Sequence, residues 1–503
     1  MDTGKREREG SGGRTVFRGL TAGFRGTRRW IKPTVLALGM AAFLAVYLAP
    51  TCDPIVDPFG RTVTLTREGQ ATLGLFILAL LWWASEAIPI GVTAIAVGVL
   101  QALFRIRPPR KAFSDFMHPY VWIIFGSLVI GMVFAKTGLA RRISYRALAV
   151  MGERTRVLYA GIPCLILVLT LLMAHTAVAA IVFPLLMAIN ALYERGGKTT
   201  RFGKGLFIGM AFAAGAGSVV TLLGSVRAPA AIGLFEEITG RPVSFFALPV
   251  YLFPFAAAVL FVSWLLLLVL FPPETAVVEG LRERALLLHQ RLGPISRKEV
   301  LSLVVVFVAI AVLTAHSYVS FLRPVDKSAI VLLPTVLFFV FGILSVKDLE
   351  EVPWNIMLLF GGAMSLGFCL WETHAAQWIA AEVFAAWPHL AGLFFLLATG
   401  VLVLLASNVL INAAVIAFCL PLGLAAAPYA GVSADLVLFA CLVAAGMPVM
   451  LVIGSAPNAI AYESHQFTAR EFFRAGALAS GLILGMLYLF ARWIWPFLGM
   501  PRA

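Results

Sequence analysis

From Thr34 to the C-terminus the chain is a succession of long apolar runs, too many for a water-soluble core to hide. A hydrocarbon layer of about 30 Å takes ~20 apolar residues per helix. Runs of that kind begin near Thr34, Thr72, Gly91, Tyr120, Phe246, Leu301, Ser328, Trp354 and Ala475. Of the 503 residues 61% are apolar and 13% charged, where soluble domains run at roughly 45–50% apolar. A soluble enzyme and a disordered chain are therefore disfavoured. The five cysteines, at 52, 164, 369, 419 and 441, form no CxxC pair and imply neither a disulfide framework nor a metal cluster. The expected fold is an all-α polytopic membrane protein of about 11 spans.

Charge sets the expected sidedness. The net charge of +14 reads first as loops facing anionic lipid on the cytoplasmic side, not as a nucleic-acid surface. The Gly- and Arg-rich tail 1–33 lacks the small-residue spacing of a cleavage site. It is expected to anchor on lipid phosphates, with the N-terminus in the cytoplasm of a bacterial-type inner membrane.

The apolar segment 157–193 has Arg141, Arg142, Arg146, Arg154 and Arg156 before it and Arg195, Lys198, Arg201 and Lys204 after it. Both ends therefore belong on one side. Its middle, Met173-Ala174-His175-Thr176-Ala177, is too polar for a turn in lipid. A re-entrant hairpin buried in protein satisfies both facts. A second such segment, 390–424, has no Lys or Arg on either flank and should open to the opposite side. Arg105, Arg107, Arg110 and Lys111 break the rule, falling on the wrong side of this scheme.

The two hairpins repeat one spacing. Thr170, His175 and Pro184 recur as Ser407, Asn412 and Pro421 at a constant offset of 237. Each hairpin is followed by an interrupted apolar segment, 206–234 or 434–462. The turns inside them are Gly224-Ser225-Val226-Arg227-Ala228-Pro229 and Gly454-Ser455-Ala456-Pro457-Asn458. Repeats with opposite flanking charge are inverted repeats, an arrangement of secondary transporters whose broken helices meet near the midplane. Half-helix N-termini there attract an anion, while freed carbonyls and side-chain oxygens suit a small cation. The pattern predicts an anion carrier. It divides the chain into the tail, a first repeat over 34–271, a linker over 272–299 that faces the cytoplasm, and a second repeat over 300–503.

Three passages carry a family resemblance. Leu81-Trp82-Trp83-Ala84-Ser85-Glu86-Ala87-Ile88-Pro89, Phe360-Gly361-Gly362-Ala363 before the second hairpin, and Ile453-Gly454-Ser455-Ala456-Pro457-Asn458-Ala459-Ile460 lie in the order and at the spacing of the divalent anion/sodium symporters. The chain resembles that family over most of its length after the first helix. The resemblance implies a homodimeric symporter of dicarboxylates, citrate or sulfate, with each hairpin-bearing part moving as a body against a scaffold. It also implies that Glu86 ties scaffold helices together. The family bears a Ser-Asn-Thr triplet at each tip; here the matching residues are Ala174-His175-Thr176 and Ile411-Asn412-Ala413, with Ser407-Asn408 one helical turn earlier as an alternative register.

On this reading His175, Thr176, Ser225, Arg227, Asn412, Ser455 and Asn458 contact the substrate, and Ser407, Asn412 and Gly454 hold one sodium ion. The first half has His175 and Arg227 where oxygen ligands belong, and guanidinium has no acceptor to give. Positive charge on the protein is expected to replace a first cation, unless Arg227 merely pairs with Glu236 or Glu237. Lys136 and Glu372, which end the helices before the hairpins, are expected at the interface. Sodium coupling, proton coupling and exchange stay open, as do sulfate or another oxyanion as cargo. A membrane enzyme is disfavoured by the lack of a zinc pair, nucleophile triad or phosphate loop. An anion channel is the weaker transport alternative.

Overall fold

A computed structural model describes residues 28–501 except 195–198, 317 and 323. Most of the basic tail, together with Arg195 and Lys198, lies outside the described residues. The protein is almost wholly helical, as an apolar chain must be when no water is present to satisfy its backbone. Among the described residues eight helices are long and apolar enough to cross a bilayer.

The chain begins with α1 (Arg28–Leu48), a small antiparallel pair β1 (Ile55–Val56) and β2 (Thr62–Val63), α2 (Arg67–Ser85) and α3 (Ile90–Leu103). The short α4 (Pro109–Ser114), then α5 (Pro119–Thr137) and α6 (Leu139–Met151), lead into the first hairpin, α7 (Thr155–Thr170) and α8 (His175–Tyr193). The first broken element is α9 (Arg201–Gly217) and α10 (Arg227–Thr239), followed by α11 (Ala247–Leu270). In the linker, α12 (Leu281–Arg291) packs on α6. The second half runs through α13 (Arg297–His316), α14 (Lys327–Val340), α15 (Val346–Glu350), α16 (Trp354–Glu372) and α17 (Ala375–Ala386). The second hairpin is α18 (Gly392–Val409) and α19 (Asn412–Ala430). The second broken element is α20 (Ala434–Gly446) and α21 (Ala456–Tyr462), and α22 (Ala469–Leu489) follows.

Small residues let helices approach where no hydrophobic driving force separates helix from lipid. On α16, Gly362 lies against Ala94 of α3, and Gly91 of α3 lies against Asn355 at the start of α16. This pair is the centre of a frame made of α1–α5 and α13–α17. The hairpins and broken helices cross between the halves: α8 packs on α21, and α19 packs on α10.

Lys136 and Glu372, the charged residues at the ends of the helices before the hairpins, are both exposed and both ion-paired across the frame. Lys136, near the end of α5, reaches the Asp348 carboxylate of α15 at 2.6 Å. Glu372, at the end of α16, binds Arg107 at 3.0 Å and Lys111 of α4 at 3.5 Å. The two arrangements correspond across the repeat with charge reversed. Arg107 is 4% exposed and also meets Asp115 at 2.7 Å. Arg107 is buried and neutralised, so it is not a loop charge facing water of the kind the positive-inside rule counts. Glu86 does not tie helices together: it is exposed, and its φ of 48° caps the C-terminus of α2 in the left-handed region.

Candidate functional site

The first hairpin turns over Leu171, Leu172, Met173 and Ala174, and the second over Leu410 and Ile411. Helices α8 and α19 each have 19 residues, and His175 and Asn412 are their first residues. That places the two residues at one structural position and favours the proline-anchored register over the earlier one. Asn408 has a different job. Its Oδ1 accepts hydrogen bonds from the backbone N–H groups of Met450 and Leu451 at 2.8 and 3.0 Å, and its Nδ2 donates to the Leu404 carbonyl. It therefore ties the second tip to the gap between α20 and α21, supplying an acceptor to N–H groups that the break sets free.

Asn458 secures the same gap from the other end. Its Nδ2 donates to the carbonyls of Pro448 and Leu451 at 2.7 and 3.0 Å. Gly454 ends a 3-10 turn pressed on Pro448, and a Cβ on it would lie 3.4 Å from the Asn408 Cα. Ser407 is fully buried, its hydroxyl donating to the Val403 carbonyl at 2.7 Å, and Ser455 is half-buried at the N-cap of α21. The Asn412 Oδ1 is buried and has no hydrogen-bond partner.

The first half is built differently. The His175 backbone N–H donates to the Gly224 carbonyl at 3.0 Å, and its Nδ1 lies 3.2 Å from the same oxygen. Gly224 is needed here because a Cβ would come within 2.7 Å of the Thr170 carbonyl. Thr176 is exposed at the tip, and Ser225 is buried, accepting from the Arg227 backbone N–H at 3.2 Å.

Arg227 starts α10 but its side chain turns back to the end of α9, where a terminal nitrogen donates to the Ser218 hydroxyl. It is 3% exposed, its Nε is unpartnered, and among the described residues it makes no ion pair. Glu236, offered from sequence as its partner, binds Lys327 instead at 2.7 Å. A Cβ on Gly446, the last residue of α20, would lie 3.7 Å from an Arg227 terminal nitrogen and would overlap Val219. The guanidinium thus sits where α9 and α20 both present C-terminal ends, the partially negative ends of their dipoles.

The four broken pieces form a continuous series. Tip one touches the first break through His175 and Gly224, and the first break meets the second at Gly215, Val219, Gly446 and Met447. The second break meets tip two through Asn408. What joins the two tips is this pair of breaks.

Residues 36–501 match the sodium:sulfate symporter transmembrane region. The chain belongs to the sodium:sulfate symporter family. A sodium-dependent dicarboxylate transporter of Staphylococcus saprophyticus is 21% identical over 86% of this chain and 87% of its own length. A membrane protein of Cupriavidus necator is 24% identical over 92% and 94%. Two solved structures share the fold of this sodium:sulfate symporter family member. The MtrF efflux pump of Neisseria gonorrhoeae gives a TM-score of 0.59 at 14% identity, covering 97% of this chain and 98% of that one. The YdaH transporter of Alcanivorax borkumensis gives 0.52 at 15%, covering 94% and 98%.

Sequence reasoning missed Ser218, the partner of Arg227, and gave Asn408 only as an alternative ligand. Asn408 had a signal: two asparagines four residues apart in an apolar segment are each costly in lipid, so at least one must face protein or a cavity. Ser218 had none, lying in a run of small residues with nothing to single it out.

Proposed function

We propose that this chain is a secondary active carrier of small divalent anions of the dicarboxylate class, working by alternating access. One sodium ion couples through the second half, and Arg227 is a built-in positive charge in the first. The observation that carries this reading is an asymmetry of orphaned atoms. Among the candidate site residues, the second half leaves a buried oxygen, Asn412 Oδ1, without a donor, whereas the first leaves a buried N–H, Arg227 Nε, without an acceptor. An unpaired buried oxygen suits a hard cation, and we assign Ser407 and Gly454 to the same ion. An unpaired guanidinium N–H at membrane depth calls for an anion.

Thr176, Ser225, Ser455 and Asn458 line the same tips and breaks and are assigned to the anion, with His175 as a neutral donor or a proton carrier. The sodium:sulfate symporter family and the dicarboxylate transporters among the relatives agree with this class of cargo. The protein acts as an integral membrane protein, as a homodimer, with its N-terminus in the cytoplasm. Exchange of one anion for another is the second reading. It is favoured by the same Arg227, because a charge that cannot dissociate cannot be transported.

Uptake of succinate, malate, citrate, 2-oxoglutarate and sulfate into vesicles, with sodium replaced by choline at two pH values, separates the two. Sodium dependence with a slope near one ion supports symport. Uptake that needs an internal anion and ignores sodium supports exchange. In Arg227→Asn, which offers a neutral oxygen, we expect at least tenfold weaker anion affinity without sodium and a steeper sodium dependence. Unchanged affinity would remove Arg227 from the binding site.

A further inference from the structure

The clearest polar contact between the hairpin-bearing body and the frame lies away from the tips, on the face opposite the ends of the first hairpin. Glu236, in the last turn of α10, accepts at Oε1 from Lys327 Nζ and from the Val243 backbone N–H, both at 2.7 Å. Its Oε2 accepts from the Tyr120 hydroxyl at 2.7 Å. Lys327 also donates to the Val243 carbonyl at 2.8 Å and lies 3.3 Å from the Tyr120 oxygen. Tyr120 and Lys327 belong to α5 and α14 of the frame, while Glu236 and Val243 belong to the first broken helix and the strand of chain after it.

Both charges occupy the wrong helix ends. Glu236 is near the C-terminus of α10 and Lys327 is the first residue of α14, so each is repelled by its own helix dipole. Each is stabilised by the other across the boundary between the two bodies. The side chains are 22% and 14% exposed, so neither is sealed from water. A cavity of about 280 Å³ lined by Tyr120, Glu236, Pro242, His316, Asp326 and Lys327 opens beside them. Separated, both charges could rehydrate, which a fully buried pair could not do at modest cost. A second frame contact reinforces the same face: the Tyr429 hydroxyl, at the end of the second hairpin, donates to Asp57 Oδ2 at 3.0 Å. Deeper, the boundary is smooth, where a Cβ on Gly131 of α5 would lie 3.8 Å from the Met173 Cβ of the first tip.

We infer that Glu236, Lys327 and Tyr120 form a polar clasp that holds the hairpin-bearing body against the frame on this face. The clasp sets how often the tips become reachable from that side. The inference rests on the alternating-access reading for its role in transport, but the contact itself can be tested without it.

The exposed cysteines Cys52 and Cys164 are replaced by Ser, and Thr176→Cys, exposed at the first tip, serves as reporter. Sealed vesicles with the clasp face outward are treated with a membrane-impermeant maleimide. Glu236→Gln and Lys327→Met should each raise the labelling rate at least fivefold, and Tyr120→Phe about twofold. Because the charges act as one unit, the Glu236→Gln/Lys327→Met double variant should label no faster than the faster single variant. Labelling unchanged in the single variants, or multiplied in the double, would overturn the clasp. If a charge variant fails to fold, Tyr120→Phe decides, since it removes one hydrogen bond and no charge. Absence of uptake by the wild-type protein for every tested anion would remove the carrier reading while leaving the labelling result standing.

Discussion

A single asparagine amide holds the second tip to its neighbouring break. Without Asn408 the backbone N–H groups of Met450 and Leu451 lose their acceptor in a region where water is scarce. Asn408→Ala should therefore lower unfolding stability by about 2 kcal/mol. Added sodium should recover less of the melting temperature than in the wild-type protein, read by thermal shift in detergent. Asn412→Ala separates the two changes: its oxygen has no protein partner to lose, so the sodium-free melting temperature should hold while the sodium response disappears. The two asparagines are four residues apart, one on each arm of the hairpin, and only their partners separate a fastener from a candidate ligand.

Among the elements, the hairpins were legible because a proline nine residues into each second helix, and a polar residue at its start, repeat at one offset. That offset survives in the structure as two helices of equal length beginning at His175 and Asn412. The pairing of elements was not legible. Arg107 finds Glu372, and Lys136 finds Asp348, across sequence separations of 265 and 212 residues that no local period encodes. The same holds for Arg227, whose partner Ser218 lies nine residues back around an irregular turn, while the nearer-looking acid at Glu236 is taken by α14. Arg107→Met would leave the buried Asp115 carboxylate without its counter-ion and Glu372 with only the exposed Lys111. Loss of a buried partner of this kind costs about 3–5 kcal/mol. Chemical unfolding in detergent should show it, and Asp115→Asn introduced with Arg107→Met should return part of the loss.

Taken as a whole the molecule has an acid-sensitive fastening between the halves. Burial alone would raise the Asp348 carboxyl, but hydrogen bonds from Lys136 and Ser345 outweigh it and hold the group down at about 2. A carboxyl depressed below its usual range adds stability at pH values above about 4, and that contribution is lost as pH falls toward 2. The melting temperature should drop across that interval more steeply in the wild-type protein than in Asp348→Asn, which starts lower and has no proton to gain there. Equal slopes would show that the pair does not bind the halves.

The crosswise packing of α8 on α21 and of α19 on α10 has a consequence for biosynthesis. The ribosome finishes the first hairpin long before residue 456, where the surface it rests on begins. Until then its second helix has the partners of its own half, among them the Gly224 turn that its tip meets, but lacks the one supplied by the second half. Neither half is a rehearsal for the other, and the native arrangement is sealed late, when the last helices arrive.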